Sequence, residues 1–243
     1  MSPTGAATPV EVAPGVYFVE GPASNWTILA GDDTLTLVDA GYPADLELVE
    51  SSLRAVASAT GDGYARLTSV LVTHGHSDHI GTVSALRRRH GFEVFAAHAE
   101  VPNVTREQLH QVTVGDVLPH LYKPRFARWV LHAVRAGGLG DVEVTDVVPL
   151  DLGASRTFSG HRVVPTAAVG HTPGHTVFAL PDDDVLITGD ALVTGHPTSR
   201  LDGVQMLHPI FHSDLAEAGR TYGRLVDRGA RVVLPGHGPV LRR

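Results

Sequence analysis

The run Thr73-His74-Gly75-His76-Ser77-Asp78-His79-Ile80-Gly81 places three imidazoles and one carboxylate within six positions, directly after the strand-forming run Leu67-Thr68-Ser69-Val70-Leu71-Val72. Polar side chains crowded at the end of a buried strand cost free energy unless something satisfies them, and a divalent metal ion does so directly. With one residue between His74 and His76, extended backbone turns both rings to the same side, and Asp78 falls there too. The turn into a following helix then swings His79 round. One strand end can therefore supply two ligands to one metal and two to a neighbour, which points to a dinuclear metal site.

His74-x-His76-x-Asp78-His79 resembles the signature of the metallo-β-lactamase fold superfamily. The rest of that family's pattern follows in order: His175 in Thr172-Pro173-Gly174-His175-Thr176, Asp190 in Thr188-Gly189-Asp190, and His237 in Leu234-Pro235-Gly236-His237-Gly238. The likeness runs from about Val16 to Val240. It implies an α+β fold, a four-layer αββα sandwich with metals at one edge, and hydrolytic chemistry. It also implies a ligand assignment in which His74, His76 and His175 form the first metal site, Asp78, His79 and His237 form the second, and Asp190 bridges them. His171, four residues before His175, is expected to be supporting or structural, because the residue that leaves the Pro-Gly turn into the next strand better fits the family pattern.

The elements that must position these groups are legible as hydrophobic periods. Val16–Glu20, Asn25–Ala30 and Leu35–Asp39 read as strands, with Gly31-Asp32-Asp33 as a turn. Pro43 opens an amphipathic helix with apolar Leu46, Val49, Leu53 and Val56. Ile80–Arg89 reads as a helix that Asp78 is placed to cap, and Phe92–Ala97 as a short strand. A helical insertion follows at about 101–136, carrying Val114, Val117, Leu118, Leu121, Phe126, Trp129 and Val130. Strands are expected at Val144–Val148, Arg162–Thr166, Thr176–Leu180, Val185–Thr188 and Arg231–Leu234, with a helix at Leu215–Val226. Strand groups alternating with helices favour a layered sandwich over a doubly wound sheet. Each candidate ligand follows a strand or a tight Gly/Pro turn, and strand ends converge on one sheet edge.

A chain of 243 residues, 43% hydrophobic and 19% charged, can bury a substantial core. Residues 1–14 read as a flexible tail and 15–243 as a single domain. The start lacks the basic and apolar stretches of a secretion signal, and no apolar run approaches the ~20 residues of a membrane helix, so a cytoplasmic protein is expected. Without cysteine, disulfides and thiolate ligands are excluded, which departs from the lactamase subclass with Cys at its second metal. The formal charge of −7 does not favour nucleic acid, and Arg87-Arg88-Arg89 reads as a solvated helix face.

Nitrogen and carboxylate ligands suit zinc, iron or manganese, and zinc leads the expectation. Two divalent ions lower the pKa of water toward neutrality, so a metal-bridging hydroxide is the expected nucleophile. Asp78 is the candidate catalytic residue, orienting that nucleophile or passing a proton to the leaving group. The expected function is a metal-dependent hydrolase of an ester, lactone, thioester or related acyl bond, closer to a lactonase or thioesterase than to a β-lactamase. Competing readings are a mononuclear iron persulfide dioxygenase, a metal-dependent nuclease and a non-catalytic metal-dependent binding protein. The insertion is either a lid over the metals, favouring a small-molecule substrate with an acyl or aromatic portion, or a packing element that could mediate a homodimer. His196 either lines the pocket or holds its loop, and His208 and His212 are expected near its mouth. His90, His98, His110, His120, His132 and His161 have no partner pattern.

Overall fold

Alternating side chains along a strand sort onto opposite faces. In the computed structural model, which describes residues 7–60 and 65–243, those faces become the two sides of two sheets. The first sheet has seven strands in sequence order, β1 (Val10–Ala13), β2 (Val16–Glu20), β3 (Asn25–Gly31), β4 (Thr34–Val38), β5 (Arg66–Leu71), β6 (Glu93–Ala97) and β7 (Val147–Leu150). The second has six, ordered β13 (Leu241–Arg242), β12 (Val232–Pro235), β11 (Val185–Gly189), β10 (Thr176–Leu180), β9 (His161–Ala167) and β8 (Arg156–Phe158).

Strands β1 to β4 pair antiparallel, whereas β4, β5, β6 and β7 run parallel. Parallel neighbours need crossovers. These are supplied by α1 (Leu46–Ala59), by α2 (Ser77–Ile80) with α3 (Val83–His90), and by the insertion with α4 (Val101–Val104), α5 (Val114–Val117) and α6 (Pro124–Arg135). In the second sheet only β11 and β12 are parallel, and α7 (Leu215–Arg228) connects them.

Period-two sorting is plain in β10, β11 and β12. Phe178, Leu180, Ile187 and Leu234 face the first sheet's Phe18, Leu29, Val38, Leu71 and Phe95. Val177, Ala179, Leu186 and Val233 turn the other way, toward Leu225 of α7. Ile28, Leu37 and Val70 of the first sheet likewise pack under Val49, Leu53, Val83 and Leu86 of α1 and α3. The result is the four-layer αββα sandwich that the sequence motifs implied.

Two expectations change. Of the 1–14 tail, residues 1–6 lie outside the described residues, but Val10–Ala13 is strand β1 and Ala7 is buried in the core. The helix expected at Ile80–Arg89 is broken at Gly81, which packs so closely on Tyr42-Pro43 that a Cβ there would meet their backbone. Asp78 accordingly sits inside the short α2, whose first flanking residue is His76, and makes no capping hydrogen bond.

Candidate metal centre

The first sheet delivers His74, His76, Asp78 and His79 just past the end of β5. The second delivers Asp190 directly after β11, His237 after β12, and His171 and His175 from the β9–β10 connection. These side chains form two groups of would-be ligands. One comprises His74, His76, His171 and Asp190, and the other Asp78, His79 and His237, with the facing atoms of each group within 4.8 Å of one another.

In the first group His171 Nε2 lies 3.2 Å from His74 Nε2 and 3.0 Å from His76 Nδ1, and 3.4 Å from Asp190 Oδ2. In the second, Asp78 Oδ2 lies 3.7 Å from His79 Nε2 and 3.5 Å from His237 Nε2. Asp190 spans the groups, with Oδ1 3.4 Å from His79 Nε2 and Oδ2 3.3 Å from His237 Nε2. Tetrahedral coordination with bonds of ~2.1 Å sets ligand atoms ~3.4 Å apart, so both spacings suit a divalent ion.

Outward hydrogen bonds determine what each ring presents inward. His79 Nδ1 donates to Asp39 Oδ2 at 2.8 Å and His237 Nδ1 to the Ala23 carbonyl at 2.7 Å. His76 Nε2 donates to the His110 carbonyl at 2.7 Å. Thr73 gives its own hydroxyl proton to Asp39, so its oxygen accepts from His74 Nδ1 at 3.0 Å. In the neutral form of these four rings the inward nitrogens are therefore bare lone pairs. His79 Nε2 and Asp190 Oδ1 are buried without any hydrogen-bond partner. Bare nitrogens and carboxylate oxygens turned toward one another repel unless a cation lies among them, which is the chemistry of a metal site.

Burial sets the protonation of the first group, and the carboxylates set that of the second. Burial, with the imidazoles of His79, His76 and His171, holds His74 well below the ordinary histidine range. His76 is pushed down to about 4 by burial, and His171 well down by burial and His76. For His79 and His237 burial acts downward but is outweighed, by Asp190, Asp78 and Asp39 around His79 and by Asp190 and Asp78 beside His237, so both are raised. Asp190 is held well below the usual carboxylate range because His237 and His79 outweigh its burial. The second group thus attracts positive charge even in the form of protons.

Of the expected ligands, the structure brings together His74, His76, Asp78, His79, Asp190 and His237. It does not bring in His175, and His171 takes that place. His175 stacks against His74 at 4.9 Å, but its Nε2 is already engaged, accepting the Asp190 backbone N–H at 3.1 Å. The Gly170-His171 backbone is tied to the start of α7, with Ser213 N–H donating to His171 O and Asp214 N–H to Gly170 O. Gly170 adopts φ +122°, and a Cβ there would strike the α7 backbone. This close approach turns His171 inward.

Supporting residues lay beyond the motifs. Asp39, at φ +58°, accepts from Thr73 N, Thr73 Oγ1 and His79 Nδ1. Buried Glu100 accepts from Gly75 N, Asn103 Nδ2, Thr172 Oγ1 and Gly174 N at 2.7–2.9 Å, tying the His74–His76 turn to the His171–His175 turn. Asn25 Nδ2 donates to the carbonyls of Pro235 and Gly238, and Ser24 Oγ to that of Asp78. Only the position of Asp39 at the end of a strand offered a sequence signal.

Above the groups opens a cavity of about 130 Å³. His76, Asp78, His171, Asp190 and His237 form its floor, and Val114, Val117, Leu118, Leu121, Trp129 and Val130 of the insertion form one wall. His196, Leu207 and Phe211 also line it, with His196 and Phe211 in ring contact with Trp129. His208 and His212 flank this region through ring contacts with Phe126 and His171. The insertion therefore serves as cavity wall, while Phe126 packs beneath it with Val193, Leu207 and Phe211.

The chain belongs to the metallo-beta-lactamase superfamily, whose family model matches residues 19–237. Among individual proteins it is similar to the probable metallo-hydrolase YflN of Bacillus subtilis, 26% identical over 94% of this chain and 81% of that protein. It is also similar to the hydroxyacylglutathione hydrolase of Halorhodospira halophila, 37% identical over 71% of this chain but only 49% of that longer enzyme. Among solved structures, a beta-lactamase domain protein from Burkholderia ambifaria superposes with a TM-score of 0.67 at 21% identity, covering 98% of this chain and 73% of that one. That likeness supports the fold alone. No described helix is long and apolar enough to cross a membrane.

Proposed function

We propose that this protein is a metal-dependent hydrolase, a single domain that cleaves an ester, lactone, thioester or related acyl bond. His74, His76 and His171 would hold one divalent ion and Asp78, His79 and His237 a second, with Asp190 shared and zinc the leading candidate. Such a pair supplies polarisation of a carbonyl and activation of water near neutral pH. The observation that carries this reading is the set of inward-facing nitrogens on the floor of a largely apolar cavity.

The chain's own residues divide the remaining work. The outward bonds of His74, His76, His79 and His237 keep each ring in its ligating tautomer. Asp78, whose side chain is 15% exposed against 3% for Asp190, is the carboxylate open to the cavity. It is placed to pass a proton to a leaving group. The apolar walls exclude water and receive the acyl arm. The second group, complete in itself, supports a dinuclear hydrolase over a mononuclear oxygenase.

Metal content by mass spectrometry, with turnover of an ester, lactone and thioester panel, tests the assignment. His171→Ala is expected to lose one ion and hydrolysis by about 100-fold or more, as removal of a direct ligand should. His175→Ala should retain both ions at saturating metal and lose less activity. Full metal binding and turnover in His171→Ala would sink the assignment.

A further inference from the structure

The cavity above the ligand groups has no cationic wall. Among the described residues that line it there is neither lysine nor arginine, although the chain carries 19 of them. Apart from the floor, aliphatic and aromatic side chains dominate the lining. A carboxylate or phosphate pressed against such walls sheds its hydration and gains no partner. An aliphatic arm gains about fourfold in affinity for each methylene it buries.

Tyr42, Ser77, Gln111 and Thr113 also line this space, and His196 brings a further neutral donor into ring contact with His237 of the second ligand group. The backbone N–H of Thr198 points at His196 Nδ1 from 3.3 Å, and the Thr198 hydroxyl lies 2.7 Å from the same atom. A backbone amide can only donate, so Nδ1 is the acceptor and the proton of the neutral ring sits on Nε2. Among the described residues Nε2 has no hydrogen-bond partner, and His196 lines the cavity. Its ring is wedged against Trp129 at 6.0 Å and Phe211 at 5.2 Å, and stands edge-on to His237 at 4.8 Å. The donor is therefore rigidly held beside the second ligand group.

We propose that the site takes an uncharged acyl compound, an ester or lactone whose aliphatic arm bears no carboxylate or phosphate, and that His196 Nε2–H donates to the substrate's reacting carbonyl or leaving oxygen. The proposal rests on the hydrolase reading and narrows it. It sets the chain apart from an enzyme acting on hydroxyacylglutathione, a thioester that carries two carboxylates.

Calorimetry on the metal-loaded protein with 2-octanone and 7-oxooctanoate tests it, since the two ligands share a carbonyl and differ in a distal charge. The ketone is expected to bind about 10-fold tighter or better, as burial of an unpaired carboxylate is costly. Val134→Arg, which puts a cation at the half-exposed rim, should narrow that gap by strengthening the acid. His196→Leu should weaken the ketone about 2- to 10-fold, the range of one neutral hydrogen bond, and His196→Gln, which keeps an N–H donor, should recover most of the loss. With 4-nitrophenyl hexanoate and mono-4-nitrophenyl adipate as substrates, the wild-type protein should show the same order in KM with kcat little changed, whereas His196→Leu should lower kcat for both esters and His196→Gln restore most of it. Equal or tighter binding of 7-oxooctanoate, no binding of 2-octanone, or identical behaviour of the Leu and Gln variants overturns the proposal. Ketone selectivity without cleavage of any ester would instead overturn the hydrolase reading.

Discussion

His171 and His175 flank one Pro-Gly turn, are both buried, and differ in what their nitrogens meet. Neither residue type nor spacing separates them. What decides is that Gly170 is locked against α7 while His175 Nε2 receives the Asp190 amide, and both facts are tertiary. Hence six of the seven residues expected from the motifs reach the two clusters, and His171 rather than His175 completes the first. Burial pushes both His175 and His196 down to about 3. Their unfolded counterparts take up protons near 6.5, so between about 6.5 and 3 the unfolded chain binds more protons. Stability from these two groups is thus complete above pH 6.5 and falls as pH drops toward 3, by up to about 1.4 kcal/mol per pH unit for each group. Urea midpoints at pH 7, 6 and 5 should show this decline, and His196→Gln should flatten it; an unchanged slope in that variant would contradict the account.

Elements position what the residues supply. The strands with strong period-two patterns were legible to within a residue or two at β9 to β12, because one buried face on each side leaves little choice of register. The breaks were not legible: Gly81 interrupts α2–α3 through contact with the Tyr42-Pro43 turn, some forty positions earlier in the chain. The β4 exit has its own function through Asp39, which anchors Thr73 and His79 together. Asp39→Asn places an amide donor where acceptors are needed. It is expected to weaken the second ion about 10- to 100-fold, measured by chelator competition, with the first ion much less affected. The insertion presents both Trp129 and Val130 to the cavity. Trp129→Ala should raise KM for hexanoyl esters several-fold, since it removes apolar surface from the arm, and leave acetyl esters nearly unchanged. Equal effects on both would return α6 to a packing role.

At the scale of the whole molecule, each ligand group draws on both sheets. His74, His76, Asp78 and His79 come from the first, and His171, Asp190 and His237 from the second. Hydrogen bonds cross at the same edge, from Thr176 N–H to Thr73 O and from Asn25 Nδ2 to Pro235 O. Ions bound there would stabilise the folded chain by mass action, about 2.7 kcal/mol per site at a hundredfold excess over Kd. For a chain of this length that corresponds to an increase in Tm of about 5–10 °C per site. Chelation should reverse it, and a melting temperature indifferent to chelator would deny the ions any part in joining the sheets.

Because the cross-sheet seam and the chemical centre are the same place, stability and competence to react rise and fall together. A preparation's heat resistance would then report how fully it is charged with metal, and shortage of the ion would expose the chain to unfolding and proteolysis in step with its loss of catalysis.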